Sequence, residues 1–153
     1  DCERIVIDMF GGTKSPEFLY TILVEIELRA IAENERIREL YYEAYTSDII
    51  FEKIVDQGAK KSRQVFNRYN PEYSLKDYYN INLMIKGAMR GYIIDSKLDK
   101  KKSSKNRNNS MLNMILKLMN VKSRESQSII KEINTMNVEI DYITDKLIKE
   151  KLE

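Results

Sequence analysis

Two separate stripes of hydrophobic positions run along residues 74–95 when the segment is plotted as a helix, at about 100° per residue. The broad stripe contains Tyr78, Ile81, Met84, Ile85, Ala88, Met89 and Tyr92. The narrow stripe on the far side contains Leu83, Gly87, Gly91 and Ile94. Ser74 and Asp77 form a weak capping box at the start of the helix. We expect the rest of the chain to be arranged around this helix.

The two apolar faces indicate two neighbours, because a surface helix has only one apolar face. Gly87 and Gly91 each cost about 1 kcal/mol in a helix interior relative to Ala, and close approach of another helix backbone would compensate. We interpret the broad stripe as facing the chain's own core and the narrow stripe as facing a partner subunit. The alternative is a central helix of a larger monomeric bundle, and the pattern favours neither.

Residues 16–33 predict a second helix that is apolar over most of its circumference. Ser15 is its expected N-cap. Its polar side consists of Thr21, Glu25 and Arg29, and we expect Glu25 and Arg29 to form an exposed i,i+4 pair. A helix that is apolar nearly all round is typical of a buried, central position.

Glu27 interrupts this apolar surface on the side opposite the polar positions. A buried carboxylate must be paired or must change its protonation equilibrium. One interpretation is a polar anchor in a ligand pocket. The other is a structural ion pair with Arg63, Lys86 or Arg90, and this is the commoner arrangement for buried charges.

The remaining helical segments are predicted at residues 35–45, 49–69, 111–119 and 123–153. Asn34 and Asp48 are the expected N-caps of the first two. Residues 1–14 end in two glycines and are expected to be a helix remnant or a linker from a missing N-terminal part. The sequence therefore predicts an all-α, antiparallel bundle of about six helices, with residues 1–153 as a single domain.

A hydrophobic seam with alternating spacings of four and three follows the C-terminal segment. It contains Ile129, Ile133, Met136, Ile140, Ile143 and Leu147. About three heptads are near the lower limit for a coiled-coil-like face. The seam either covers the chain's own core or serves oligomerisation, and the pattern does not distinguish the two.

Residues 96–110 are polar, basic and low in complexity. Their cationic side chains are Lys97, Lys100, Lys101, Lys102, Lys105 and Arg107. Such a cluster can bind phosphate groups. It lacks interleaved aromatic residues, however, and Asp95 and Asp99 dilute its charge, so the composition favours a solvated loop between helices.

The overall charge gives no sign of a nucleic-acid or membrane partner, since 26 Lys and Arg against 24 Asp and Glu leave a net charge of +2. The single cysteine, Cys2, excludes an internal disulfide and fits a reducing, cytoplasmic compartment. No apolar run approaches the ~20 residues of a membrane span. Five Gly and two Pro are too few for the turns of a many-stranded β fold.

The chain contains no histidine, which excludes Ser/His/Asp and Cys/His catalysis and histidine-based zinc sites. No glycine-rich phosphate loop or calcium-binding loop is present. We therefore expect neither an enzyme nor a site for a metal or cofactor.

The inward-facing stripes are rich in side chains that can line an adaptable apolar pocket. With Glu27 as a polar anchor, the candidate ligand-binding residues are Tyr20, Glu27, Tyr41, Tyr45, Phe51, Phe66, Met84 and Met89. Tyrosine hydroxyls could orient a ligand in such a pocket. The alternative for each residue is ordinary core packing.

The order of segments provides a further comparison. A buried helix is followed by NERIRELYYEAYTSDIIFEKI, a long helix broken at YNPEYS, the LMIKGAMRGYI helix and KLMNVKSRESQSIIKEI. This order resembles the C-terminal body of tetracycline-repressor (TetR) family transcriptional regulators over about residues 16–133. The family's N-terminal helix-turn-helix has no counterpart in residues 1–14, so the resemblance implies the regulatory part of a longer repressor.

The resemblance implies a homodimer and a small apolar or amphipathic effector, which would control DNA binding by the missing part. The candidate dimer residues are Leu83, Gly87, Gly91, Ile94, Ile133, Met136, Ile140 and Ile143. The alternative is a non-catalytic helical scaffold that uses the C-terminal seam to bind another protein. A third option is nucleic-acid binding through the basic segment at 97–107.

Overall fold

The computed structural model describes residues 2–98 and 105–153, which form eight α-helices and no β-strand. The helices are α1 (Cys2–Phe10), α2 (Pro16–Glu33), α3 (Glu35–Thr46), α4 (Asp48–Phe66), α5 (Leu75–Leu98), α6 (Lys105–Leu118), α7 (Ser123–Ile133) and α8 (Asn137–Leu152). The predicted all-α class is confirmed, with more helices than the six expected. No helix in the described ranges is long and apolar enough to cross a membrane.

Helix α2 is the centre of the bundle, because it packs against each of the seven other helices of the described ranges. Ser15 caps it, with its hydroxyl accepting the N–H of Phe18 at 3.2 Å. Ile22, Ile26 and Ile31 have no solvent-exposed surface. The predicted central position of this helix is confirmed. Helix α5, which we expected at the centre, packs mainly against α4 and α3.

Side-chain caps mark the starts of α2, α3, α4 and α5. The Asn34 side chain accepts a backbone N–H at 3.0 Å at the start of α3. Ser74 and Asp77 form the predicted capping box before α5, with each backbone N–H bonded to the other's side chain at 2.7 and 3.3 Å. The cap of α4 is Ser47, whereas Asp48, the expected cap, is the first helical residue.

Both ends of the predicted loop at 96–110 are helical, because α5 extends beyond its expected end and α6 begins before its expected start. Residues 99–104, which include the lysines at 100–102, lie outside the described residues. Lys97 and Arg107 each form an ion pair with an acidic residue of another helix, at N–O distances of 3.0 and 2.9 Å. These two cations are therefore already engaged within the chain.

The narrow stripe of α5 faces away from the rest of the chain. Leu83 is 41% exposed, Gly87 and Gly91 are exposed, and Ile94 is half-buried. A Cβ atom built on either glycine would meet no atom within 4 Å. The monomeric-bundle alternative requires the chain to cover both faces of α5. The described residues do not cover the narrow stripe.

The polar side of α2 is buried, and the prediction that it is exposed is wrong. Thr21 and Glu25 are only 2% and 4% exposed. Glu25 Oε1 accepts the Arg29 Nε–H at 2.8 Å, and Arg29 Nη1 donates to Asp141 Oδ1 of α8, also at 2.8 Å. Asn108 of α6 also donates to Glu25. The pair expected on the surface instead links α2 to the helices packed over it.

The C-terminal seam belongs to the chain's own core. The segment breaks after Ile133 into α7 and α8, so no continuous heptad helix forms. Ile133, Ile140 and Ile143 have no exposed surface, and Met136 is partly buried against them. Their prediction as dimer residues is corrected accordingly, since side chains enclosed in the core cannot also lie at a surface between subunits.

Candidate ligand-binding cavity

A cavity of about 790 Å³ lies beside α2. Its apolar lining consists of Leu23, Val24, Leu40, Ala44, Ile50 and Ile54. The remaining lining residues are Tyr20, Tyr41, Tyr45, Gln57, Gly58, Glu3, Glu27, Lys61, Lys86 and Lys151. Leu40 and Ile50 are 44% and 45% exposed, and they mark a side of the cavity that is open to solvent.

Helices α2 and α3 supply half of the lining residues, because each turns one stripe toward the cavity. On α2 the stripe follows spacings of three, one and three and contains Tyr20, Leu23, Val24 and Glu27. On α3 it follows spacings of one, three and one and contains Leu40, Tyr41, Ala44 and Tyr45. These are the spacings of neighbouring positions on one helix face. Helix α4 adds a third wall.

Aromatic contacts brace this wall. The Tyr41 and Tyr45 rings stack with their centroids 6.2 Å apart, and Phe51 contacts Tyr45 edge-on at 6.0 Å. Phe66 contacts Tyr20 edge-on at 5.1 Å. The structure thus brings Tyr20, Tyr41 and Tyr45 into the cavity lining. Phe51 and Phe66, also predicted as pocket residues, lie behind the tyrosines and support them.

The two predicted methionines do not belong to the cavity. Met84 is 54% exposed, although the helical plot assigned it to the inward stripe. Met84 lies at the edge of that stripe, and α4 and α3 do not extend over it. Met89 is 2% exposed and packs in the main hydrophobic core. Neither side chain lines the cavity.

Glu27 is half-buried at the cavity wall. Among the described residues, no cationic nitrogen lies within 4 Å of its carboxylate. Arg63 and Arg90, two of the proposed partners, are exposed. Tyr41 lines the same cavity, and burial together with the negative charge of Glu27 raises the pKa of Tyr41. The expected structural ion pair is therefore not formed.

Lys86, the third proposed partner, lines the same cavity but does not pair with Glu27. Its stem passes over Gly58 of α4, where a built Cβ atom would lie 3.1 Å from Lys86 Cε and 2.5 Å from Asn82 Oδ1. Burial lowers the pKa of Lys86, but its interactions with Tyr45, Tyr20 and Glu27 outweigh burial and raise the pKa overall. Lys86 is thus a charged group held inside the cavity.

Two contacts tie other helices to the cavity wall. Lys61 of α4 forms an ion pair with Glu3 of α1. The ammonium of Lys151 on α8 lies 5.4 Å from the centroid of the Tyr41 ring on α3, within the range of a cation–π contact. The first and last helices therefore both contact residues that line the cavity.

The chemistry available in the cavity is one of binding groups. It offers a carboxylate, ammonium groups and tyrosine hydroxyls against an apolar wall. Across residues 2–98 and 105–153, no group of three or more Asp, Glu or Cys side chains is placed to hold a metal ion. The sequence interpretation missed Lys86 as a pocket residue. Its position at the border of the two α5 stripes was the available signal, because a long lysine stem can reach inward from such a border.

We expect Gly58→Ala to lower the free energy of unfolding by up to about 2 kcal/mol. Overpacking against Asn82 and Lys86 costs about 1–3 kcal/mol, and it outweighs a gain of about 1 kcal/mol in helix propensity. Gly12→Ala is the matched control, because its Cβ would meet no atom and its φ is not positive. Urea unfolding measures both variants, and a Gly58→Ala variant as stable as wild type would contradict the close packing.

The ionisation of Tyr45 gives a pH test. Burial, with Glu27 and Tyr20 adding to it and Lys86 opposing it, raises the pKa of Tyr45 from 10.0 to about 12. As the pH rises the unfolded chain loses this proton first, so the contribution to stability is complete below pH 10 and disappears by about pH 12.

Between these pH values, we expect the unfolding free energy of wild type to fall more steeply than that of Tyr45→Phe, by about 1.4 kcal/mol per pH unit. Chemical denaturation at a series of pH values measures the difference. Parallel curves for the two proteins would show that Tyr45 ionises in the folded state as it does in water.

Comparison with known proteins gives no further guide to the cavity. The chain matches no protein-family model, no curated protein and no solved structure. The resemblance to the TetR-family body therefore stays a prediction, and the function has to be argued from the cavity itself.

Proposed function

We propose that this chain is a non-catalytic sensor domain that binds a small amphipathic molecule in the cavity beside α2. The observation that carries the proposal is the cavity itself, about 790 Å³ in volume, with an apolar wall and a few polar groups. Ligand sites in proteins have volumes of about 300–1,000 Å³ and this kind of lining. Glu27 and Lys86, which have no ion-pair partner in the described chain, are polar groups that a ligand could engage.

The protonation of Lys86 supports binding in preference to catalysis. A lysine acts as a nucleophile or base only when its pKa is lowered far enough to free the amine at neutral pH. The environment of Lys86 raises its pKa instead. The ammonium is therefore suited to hold an anionic group and unsuited to attack a substrate.

Within this proposal, the domain is the effector-binding and dimerisation part of a TetR-like repressor, with DNA bound by an N-terminal helix-turn-helix outside this chain. The exposed face of Leu83, Gly87 and Gly91 is the proposed homodimer surface. The Glu3–Lys61 ion pair offers a route by which ligand binding would shift α1 relative to α4. Such a shift at the start of the chain would change the position of the DNA-binding part.

The alternative scaffold function loses its main support, because the C-terminal seam it would use is enclosed in the chain's own core. Nucleic-acid binding by the basic segment is also less supported. Lys97 and Arg107 are each paired with a carboxylate, and the rest of the cluster lies largely at residues 99–104, outside the described part of the chain. We therefore retain the sensor function alone.

A thermal-shift screen of alcohols, amines, fatty acids and amino acids tests the proposal. A ligand at about 100 times its Kd adds about 2.7 kcal/mol, which for a domain of this size raises Tm by about 5–10 °C. We expect Ala44→Phe, which adds a ring inside the cavity, to abolish the shift. Glu43→Phe adds the same ring at an exposed position on α3 and should leave the shift intact.

Two results would contradict the proposed function. One is a folded wild-type chain that no member of the screen stabilises. The other is a ligand whose shift is the same in wild type and in Ala44→Phe, because that ligand would bind somewhere other than the cavity.

A further inference from the structure

We propose that the ligand of this cavity is bipolar, with an anionic group that binds Lys86, a protonated amine that binds Glu27, and an apolar body between them. This inference rests on the proposed binding function and adds the chemical class of the ligand. It follows from the opposite charges of Glu27 and Lys86 in one cavity, both without an ion-pair partner among the described residues.

The Lys86 end of the cavity is suited to an anion. The lysine stem is held against Gly58, which leaves its ammonium as the part free to meet a ligand. Tyr45 and Tyr20 line the same cavity, and both interact electrostatically with this ammonium. Tyrosine hydroxyls can donate to a carboxylate or phosphate, so an anion at this end would gain hydrogen bonds in addition to the charge contact.

The Glu27 end of the cavity is suited to a cation or a strong donor. An ionised carboxylate offers about four acceptor positions, and Tyr41 lines the cavity beside Glu27. The remaining positions face the cavity and a smaller adjoining one of about 270 Å³, which Glu27 also lines. The negative charge of Glu27 also acts on Cys2. The pKa of the Cys2 thiol is raised to about 11, mainly by burial and next by Glu27.

The two charges attract each other but do not form an ion pair. The Lys86 ammonium nitrogen is more than 4 Å from the Glu27 carboxylate oxygens, and Tyr45 interacts electrostatically with both groups. Apolar groups of Leu23, Val24 and Ile54 line the same space. The cavity therefore offers separate positive and negative positions with an apolar surface alongside.

A ligand with only one charge fits this arrangement less well. When a ligand fills the cavity it displaces water, and any buried charge left without a partner loses its hydration. A fatty acid would leave Glu27 in this state, and an alkylamine would leave Lys86. An ω-amino acid can satisfy both, so the cavity should discriminate in its favour.

Matched probes of the same chain length test this inference in the intact chain. The probes are ω-amino acids of about six to twelve carbons, with the fatty acid, the alkylamine and the alcohol of each length, measured by calorimetric titration. At the best length, we expect the ω-amino acid to bind about tenfold or more tightly than either singly charged probe. The length at which binding is tightest would report the spacing of the two charges.

Two nearly isosteric variants assign the charges. Glu27→Gln should remove the preference for the ω-amino acid over the fatty acid and keep its preference over the alkylamine. Lys86→Met, which retains the apolar stem, should do the reverse. Circular dichroism on both variants verifies that they are folded.

Three outcomes would overturn the bipolar ligand. A singly charged probe that binds as tightly as the ω-amino acid is one, and a preference that survives both substitutions is another. In both cases a probe still occupies the cavity, so the sensor function stands. Absence of binding by every charged probe also overturns the bipolar ligand. In that case the alcohol tests the sensor function separately: binding that Ala44→Phe blocks supports it, and no binding contradicts it.

Discussion

The fold depends on the burial of α2, an 18-residue helix whose apolar residues cover nearly its whole circumference. Such a helix is stable only if neighbours cover it on every side. The other seven helices of the described ranges all pack against it. The cavity lies where this cover is incomplete, along the stripe from Tyr20 to Glu27. The site is therefore a consequence of how the central helix is enclosed.

Two carboxylates of α2 illustrate how this enclosure separates an ion-paired charge from one that lines the cavity. Glu25 and Glu27 are two positions apart, which places them on opposite sides of the helix. Glu25 is 4% exposed, and its Oε1 accepts from Arg29 in a network that reaches α8. Glu27 has Tyr41 as a neighbour but no cation within 4 Å in the described chain. The first carboxylate links α2 to neighbouring helices, and the second lines the cavity without a cationic partner in the described chain.

Local signals in the sequence predicted the elements well, because caps act within one turn. The start of α2 at Ser15, the cap at Asn34 and the capping box of α5 all depend on neighbouring residues. Burial was harder to predict. From the sequence we expected Glu25 to be exposed and Glu27 to be buried, whereas Glu25 is the more deeply buried of the two. A helical plot shows which residues share a face but not which helix covers that face.

The same limit explains the C-terminal seam and the cavity residues. A heptad spacing looks the same whether it packs on its own core or on a partner, and here Ile140 and Ile143 pack inside the chain. Three tyrosines and Glu27 were placed in the cavity lining from the sequence. Lys86 was not, because its place in the lining depends on the contact between α5 and Gly58 of α4. Gly58 and Lys86 are far apart in the sequence, and the hydrophobic pattern of each helix does not show that they meet.

Methyl NMR with added 1-octanol tests the central claim most directly, namely that an accessible cavity lies beside α2. We predict saturable shifts in the methyl signals of Leu23, Val24 and Ile54, with Ile140 and Ile143 of the enclosed core unchanged. Shifts spread equally over core and cavity methyls, or no shift at any concentration that leaves the chain folded, would contradict the account.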